Sequence, residues 1–264
     1  MDFPIEELSE LDDLRELAEL FAMVWGRPGE PPINSDTLRA LAHSGNYLAG
    51  TRSDGRLIGG IVGWLGGHPP HELHMHSHIL GVVPAIETRG LGFALKQHQR
   101  RWCLERSIGA VEWTFDPLVR RNAYFNLTKL GAEAARYLVD FYGTMNDDIN
   151  AGDESDRILI RWELTSEKAM QAAKGRTTEA AVDENAARVL SAGADGEPIA
   201  HELHGNTALL QVPDDIVALR HRAPELARSW RYAVRAALSG AMSAGYRVTS
   251  VTRDGWYVLR SGHG

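Results

Sequence analysis

Residues Ile79 to Gly92 read Ile-Leu-Gly-Val-Val-Pro-Ala-Ile-Glu-Thr-Arg-Gly-Leu-Gly. The first half of this segment is an apolar strand that breaks at Pro84, and residues 93–106 repeat apolar positions at helical spacing without glycine or proline. The pattern predicts a strand, a turn and a helix in succession. Gly90 and Gly92 let backbone N–H groups approach a ligand, and the first amides of a helix have no partner within it. The turn is therefore a candidate phosphate site.

The sequence around this turn predicts a mixed α/β fold. The pair Asp54-Gly55 lies between two apolar runs, which is typical of a β-hairpin. Upstream, an amphipathic helix is expected to end near Gly26 and a second to begin at Ser35 or Asp36. Strands are predicted at residues 47–49, 56–64, 110–115, 134–139 and 158–162, with a short helix at 122–130 that ends at Gly131.

A change of composition marks a boundary in the second half of the chain. Residues 163–229 contain no Phe, Trp or Tyr. We expect helices at 166–174 and 178–190 and a loose stretch at 192–198, then a strand, a helix over 214–243 and a hairpin, whose exposed edge should join or cover the first sheet. The predicted domains are residues 1–165, a connecting region over 166–206, and a smaller α/β subdomain over 207–264.

Composition limits the possible partners and compartment. The chain has 264 residues and a formal net charge of −7, which argues against a nucleic-acid partner because such binding rests on basic side chains. One cysteine, Cys103, rules out an intrachain disulfide and favours a reducing compartment. No apolar run approaches the ~18 residues of a membrane span. We therefore expect a cytoplasmic protein with no membrane partner, and the sequence leaves a homodimer open.

Two motifs resemble the GCN5-related N-acetyltransferase (GNAT) superfamily. The first is Leu80-x-Val82-x-Pro84 followed, after four residues, by Arg89-Gly90-x-Gly92. The second reads Asn122-Ala123-x-Phe125-Asn126-Leu127-x-Lys129-Leu130-Gly131-Ala132 and resembles the later helix of that superfamily with its closing corner. The block 114–118 before this motif is similar to a poorly characterised bacterial branch of the superfamily.

The resemblance implies a mixed, mostly antiparallel sheet flanked by helices over about Leu8 to Leu164. It also implies direct transfer of an acyl group from acetyl-CoA or another acyl-CoA to an amine, with a backbone N–H near Val82 stabilising the carbonyl oxygen. A small-molecule amine is favoured as acceptor over a protein lysine. The residues implied to bind the cofactor are Val82, Arg89, Gly90, Leu91, Gly92, Phe93, Ala94, Asn122 and Asn126.

The chain departs from the family pattern at two positions. Glu87 stands where Gln or Arg usually opens the phosphate loop, so backbone amides and Arg89 would carry the binding. Leu127 stands where the family has a tyrosine proposed to protonate the leaving thiolate. Tyr124, three residues earlier, is the candidate replacement. These departures keep a non-catalytic acyl-CoA-binding or interaction module as the alternative function.

A row of histidines lies shortly before the phosphate turn and includes His71, His74, His76 and His78. Strand alternation predicts that the last three share a face with Leu80, opposite Ile79. Such a row could bind zinc or be a polar, exposed strand face. The family architecture suggests a third interpretation, in which His78 is the general base and His76 contacts the acceptor, because an amine must lose its proton before it attacks a thioester. We adopt this interpretation and expect no metal.

Three other polar residues could have either a functional or a purely structural role. Asp116 precedes Pro117 at a strand end, where it could contact the acceptor, act in catalysis or form a turn. Asn122 is expected to cap the helix that it opens. Arg157 could bind an acceptor carboxylate or form a surface ion pair.

Overall fold

The computed structural model describes residues 3–67, 73–84, 89–145, 150, 152–177 and 186–262. Packing divides them into two units. The first contains the chain up to Trp113 together with Glu163–Thr165, and the second contains the remainder from Thr114 onward. This division falls earlier in the chain than the expected boundary at residue 165, and the three-part domain organisation stays a prediction. Both units are mixed α/β, as the sequence predicts. Within the described residues, no helix is both long enough and apolar enough to cross a membrane.

The first unit is a sheet with helices on both faces. Strands β1 to β4 are antiparallel neighbours in chain order, and β4 pairs in parallel with β5, which runs on into the second unit. Its elements are β1 (Glu6–Glu7), α1 (Leu11–Val24), α2 (Ser35–His43), β2 (Tyr47–Ser53), β3 (Arg56–Gly66), β4 (His74–Val82), α3 (Leu91–Glu105) and β5 (Ala110–Phe115).

Local signals explain these elements. Asn34 caps α2 by accepting a hydrogen bond of 2.8 Å from the backbone N of Thr37. The hairpin between β2 and β3 turns at Asp54 and Gly55, whose φ values are 49° and 78°, as this pair favours. The predicted hairpin and both N-terminal helices are confirmed.

Two adjacent glycines of β3 let helices pack closely on the two faces of the sheet. A Cβ added to Gly60 would lie 2.2 Å from Leu17 Cδ1 of α1, and one added to Gly59 would lie 2.7 Å from Leu91 Cδ2 of α3. Neighbouring strand residues point to opposite faces. Helix α1 therefore covers one face and α3 covers the other.

The second unit holds an antiparallel pair, β6 with β7, and a five-stranded sheet in the order β11-β12-β10-β8-β9. In that sheet β8 and β10 are parallel and the other neighbours are antiparallel. Its elements are α4 (Arg120–Ala123), a π-helical segment (Tyr124–Lys129), β6 (Glu133–Leu138), β7 (Arg157–Glu163), α5 (Glu167–Ala173), β8 (Ala187–Ala192), β9 (Pro198–Ala200), β10 (Thr207–Gln211), α6 (Ile216–Arg222), α7 (Pro224–Ser243), β11 (Tyr246–Val251) and β12 (Trp256–Ser261).

Three expectations for the C-terminal half are wrong. The helix predicted for 178–190 is strand β8 at residues 187–190, and residues 178–185 lie outside the described residues. The loose stretch is the turn of the β8–β9 hairpin, closed by a 2.8 Å hydrogen bond from Gly193 N to Glu197 O. The C-terminal strands pair with β8 and β9 in a sheet of their own instead of joining the first one, and the alternative that they cover the first sheet stays a prediction. Tertiary packing thus outweighs helical propensity in β8, because Leu190 is fully buried in that sheet.

Candidate active site

Strand β4 carries one extra residue, at His78. Gly63 of β3 pairs with Ser77, whereas its neighbour Val62 pairs with Ile79, so His78 has no partner position in the ladder with β3. This is a β-bulge, which breaks the alternation of faces along the bulged strand. His78 and Ile79 consequently lie on the same face.

The bulge corrects the predicted arrangement of β4. Ile79 belongs to the apolar cluster that also contains Phe21 of α1. Leu80 lies on the α3 face, because its Cδ2 would be 3.8 Å from a Cβ added to Gly92. The prediction that Leu80 shares the face of the histidines is wrong beyond the bulge. Before the bulge, Ser77 contacts α3, so His76 and His78 lie on the opposite face.

On that face, Trp64 of β3 packs against two histidines. Its ring centroid is 4.5 Å from that of His78 and 5.1 Å from that of His76, and the two imidazoles are 5.7 Å apart. Burial, with the nearby His78, His74 and Lys96, lowers the pKa of His76 to about 4. Shielding from water also lowers the pKa of His78 from its ordinary value. Both imidazoles are therefore neutral near pH 7 and able to accept a proton.

The two histidines differ in access. His76 is half-buried, whereas His78 is exposed. His74, earlier on the same strand, lies 3.4 Å through Nε2 from Oε2 of Glu112 on β5. Of these two imidazoles, that of His78 is thus the more accessible from solvent.

The zinc interpretation finds no support among the described side chains. Within the described ranges, no group of three or more His, Cys, Asp or Glu residues is arranged to hold a metal ion. His71, the first histidine of the row, lies outside the described residues.

The predicted turn before a helix is confirmed at the start of α3, and phosphate binding there stays a prediction. Gly90 is the N-cap residue with φ 88°, a left-handed conformation that favours glycine, and no side chain caps this end of the helix. The carbonyl oxygen of Gly90 accepts the first helical bond, 3.0 Å from Ala94 N. Arg89 is exposed beside the turn, and Glu87 lies outside the described residues. Val82, at the end of β4, pairs with Gly59 and so lies on the α3 face.

In the second unit, Asp116 is held by two arginines. Its oxygens accept bonds of 2.8 Å from Nη1 and Nη2 of Arg231 and of 2.6 Å from Nη2 of Arg220. Leu118 N donates a further bond of 2.9 Å. The guanidinium of Arg231 outweighs the effect of burial and holds the pKa of Asp116 far below its usual range. These contacts favour a structural role for Asp116.

Arg157 is buried among neutral acceptors. It is 7% exposed and donates to the backbone O of Asp156 (2.9 Å), Met145 Sδ (3.1 Å) and Asn150 Oδ1 (3.3 Å). Burial lowers its pKa from the ordinary value. The predicted surface ion pair is therefore wrong, because the side chain is neither exposed nor in contact with a described carboxylate.

The remaining predicted residues lie on α4 and the π-helical segment. Tyr124 Oη accepts a 3.2 Å hydrogen bond from Nε of Arg253. Asn122 is an exposed residue inside α4, whose N-cap is Val119, so its expected capping role is wrong. Asn126 is buried, and its backbone oxygen accepts from Ala132 N. Leu127 is fully buried.

The comparisons with known proteins bear on this architecture. Residues 11–131 match the model of the acetyltransferase (GNAT) family. This part of the chain is a GNAT domain. The predicted superfamily is thereby confirmed, as is an N-acetyltransferase as the enzyme class. No curated protein matches the chain.

The chain is similar to several solved structures, of which three follow. Naa20 of Chaetomium thermophilum in complex with a bisubstrate analogue has 19% identity and a TM-score of 0.49, covering 63% of this chain and 88% of that one. Arabidopsis thaliana Naa50 with the bisubstrate analogue CoA-Ac-MVNAL has 16% identity and a TM-score of 0.47, covering 61% and 98%. An aminoglycoside acetyltransferase from an uncultured soil metagenomic sample, in complex with sisomicin, has 19% identity and a TM-score of 0.39, covering 43% and 78%.

Two residues of the GNAT domain that contact the site were not predicted from the sequence. Trp64 shields the histidines, and Lys96 of α3 is buried beneath β4. An aromatic residue on a predicted strand next to the histidine row was the available signal for Trp64. Helical spacing contained no comparable signal for Lys96.

Proposed function

We propose that the GNAT domain transfers a short acyl group from acyl-CoA to the amine of a small metabolite, with His78 as the general base. The observation that carries the proposal is the bulge in β4. It presents a neutral, exposed imidazole on one face of the strand, while the glycine turn of α3 follows the same strand on the other face.

The chemistry requires a base of this kind. An acceptor amine is mostly protonated near pH 7, and the imidazole of His78 takes its proton. The amine nitrogen then attacks the thioester carbon, and the C–S bond breaks to release the CoA thiolate. A backbone N–H of β4 near Val82 stabilises the developing negative charge on the carbonyl oxygen. For protonation of the thiolate, Tyr124 remains the candidate from the sequence.

Cofactor binding is assigned to the start of α3. Residues Arg89 to Ala94 supply backbone amides and one exposed guanidinium to the pyrophosphate, and the absence of a side chain at Gly90 and Gly92 allows close approach. Asn122 and Asn126 stay predictions for further cofactor contacts.

Acceptor recognition is assigned to His76 on β4, and Arg157 stays a prediction for an acceptor carboxylate. The catalytic or acceptor-binding role expected for Asp116 is not retained in the proposal, because both its carboxylate oxygens already pair with arginines.

Substitution of the base tests the proposal. His78→Ala should lower kcat about 100-fold or more and leave the affinity for acetyl-CoA unchanged, because the base acts on the acceptor. The measurement is steady-state release of CoA thiol with an amine acceptor, together with calorimetric titration of acetyl-CoA. His43→Ala is the matched control, since His43 is an exposed histidine on α2 of the same unit.

Turnover in His78→Ala equal to that of the His43→Ala control would remove His78 from the mechanism. A loss of acetyl-CoA affinity in the same variant would instead assign His78 to the cofactor.

A further inference from the structure

Lys96 connects three elements of the GNAT domain through a single buried side chain. It lies on α3 and is 3% exposed. Its Nζ donates to Ser77 Oγ on β4 at 2.8 Å and to Gln99 Oε1 at 3.2 Å. The same Nζ lies 3.7 Å from the ring centroid of Trp113 on β5. Lys96 thus ties the cofactor helix to both neighbouring strands.

The charge of Lys96 has no acidic partner among the described residues. Its contacts are a hydroxyl, an amide and an aromatic face, and burial lowers the pKa of Lys96 to about 7. Cys103, on α3 itself, is the titratable group that acts on Lys96. Lys96 in turn acts across the sheet on His76, which Glu112 of β5 also influences. A buried ammonium without a carboxylate costs stability, so an apolar residue of similar size would be tolerated better. Packing therefore gives no reason for a lysine here.

The position of Ser77 suggests what the lysine does. Ser77 is the last residue before the bulge at His78, and its side chain points to the opposite face. A bulge interrupts the hydrogen-bond ladder locally, so the strand at this point depends on other contacts for its geometry. The bond from Lys96 fixes Ser77, and through the backbone it fixes the direction of His78.

We propose that Lys96 is a positioning residue that holds the His78 bulge in place relative to the cofactor helix α3. This inference rests on the function proposed above, because it assumes that the geometry of His78 matters for proton transfer. The buried charge of Lys96 also has an electrostatic effect on His76. The positive charge of Lys96 opposes protonation of His76, so its removal raises the pKa of His76.

Lys96→Met tests the proposal by replacing the ammonium with an apolar chain of similar length. We expect kcat to fall about 10-fold or more, the KM for acyl-CoA to stay within about twofold, and Tm to stay the same or rise. Ser77→Ala removes the same bond from the other side, so it should cause a similar loss, and the double variant should add little to either single loss. Lys174→Met, at an exposed lysine, is the control and should behave as wild type.

Two outcomes in the kinetics would overturn the proposal. They are wild-type kcat in Lys96→Met, and a fall in kcat that comes with a matching fall in Tm or in acyl-CoA affinity, which would indicate a structural or cofactor role.

NMR titration of the imidazoles separates this inference from the proposed function. In Lys96→Met, a raised pKa of His76 together with shifted His78 ring resonances supports the tie, even if the wild-type protein transfers no acyl group to the amines tested. Imidazole titrations and ring resonances identical to those of wild type would overturn it. Complete inactivity of wild type would count against the proposed function alone.

Discussion

At the residue scale, the extra residue in β4 determines which side chains meet the acceptor. Regular alternation would put Leu80 beside His78, whereas the bulge sends Leu80 to the side of Gly92 on α3. On β4, the imidazoles of His76 and His78 therefore lie on the α1 face, and Leu80 lies on the α3 face. In the proposed mechanism, acid–base chemistry and cofactor binding use different faces of the same nine-residue strand.

A substitution at Gly92 tests cofactor binding at the start of α3 without disrupting the fold. A Cβ added there would meet only Leu80 Cδ2, at 3.8 Å, which is ordinary contact. Gly92→Val should therefore fold normally but weaken acetyl-CoA binding by about 10-fold or more, since the side chain occupies the space that the pyrophosphate needs. Isothermal titration calorimetry measures the affinity. Gly240→Val is the control, because a Cβ at Gly240 on α7 meets nothing within 4 Å.

An affinity for acetyl-CoA in Gly92→Val equal to that of the control would place the pyrophosphate elsewhere. Loss of cooperative unfolding in the variant would show that Gly92 serves the fold.

How far the sequence predicts this site depends on the type of residue. The glycine turn was predictable because glycine and proline act locally on the backbone. The bulge was not, because register arises between β3 and β4 and leaves no trace in the pattern of β4 alone. Burial of Lys96 was also hidden, since lysine is rarely buried without an acidic partner.

At the element scale, the second unit is stabilised by ion pairs between α6, α7 and residues that follow β5. Asp116 pairs with Arg220 of α6 and Arg231 of α7, and Asp153 pairs with the same two arginines. On the next turn of α7, Arg235 binds Asp156 and Glu154. Removing one member of such a buried cluster leaves an uncompensated charge.

Asp116→Asn should lower the free energy of unfolding by about 3–5 kcal/mol, the usual effect of breaking a buried pair. Denaturant unfolding at pH 7 measures this change. Asp214→Asn is the control, because Asp214 pairs with Arg120 at 2.5 Å but its side chain is 84% exposed, and it should cost at most about 1 kcal/mol. Equal effects in the two variants would contradict the structural role of the cluster.

The depressed pKa of Asp116 also predicts how the stability of the protein changes with pH. Because the folded pKa of Asp116 is depressed, its contribution is fully present above the unfolded value of about 3.9 and is lost as the pH falls toward the folded pKa. The stability difference between wild type and Asp116→Asn should therefore narrow below about pH 4. A difference that stays constant from pH 7 to pH 2 would indicate that folding does not change the pKa of Asp116.

At the scale of the whole molecule, the sequence predicted the element types of the GNAT domain better than those after it. In the first half, hairpin, helix and turn signals agree with each other and with the observed order. In the second half, β8 has a helix-favouring composition, and its partner β10 lies 15 residues or more away in sequence. Pairings over such distances depend on tertiary packing, which explains why the separate C-terminal sheet was not expected.

We propose above that this chain moves an acyl group from CoA to a small amine at the bulged strand β4. The most direct measurement is mass spectrometry of wild-type protein incubated with acetyl-CoA and a panel of amines that differ in whether they carry a carboxylate. We expect an amine product heavier by one acetyl group, with an equimolar amount of free CoA, and loss of this product in His78→Ala. Acetyl-CoA that binds to the protein but yields no acylated amine from any member of the panel, or yields as much with His78→Ala as with wild type, would contradict it.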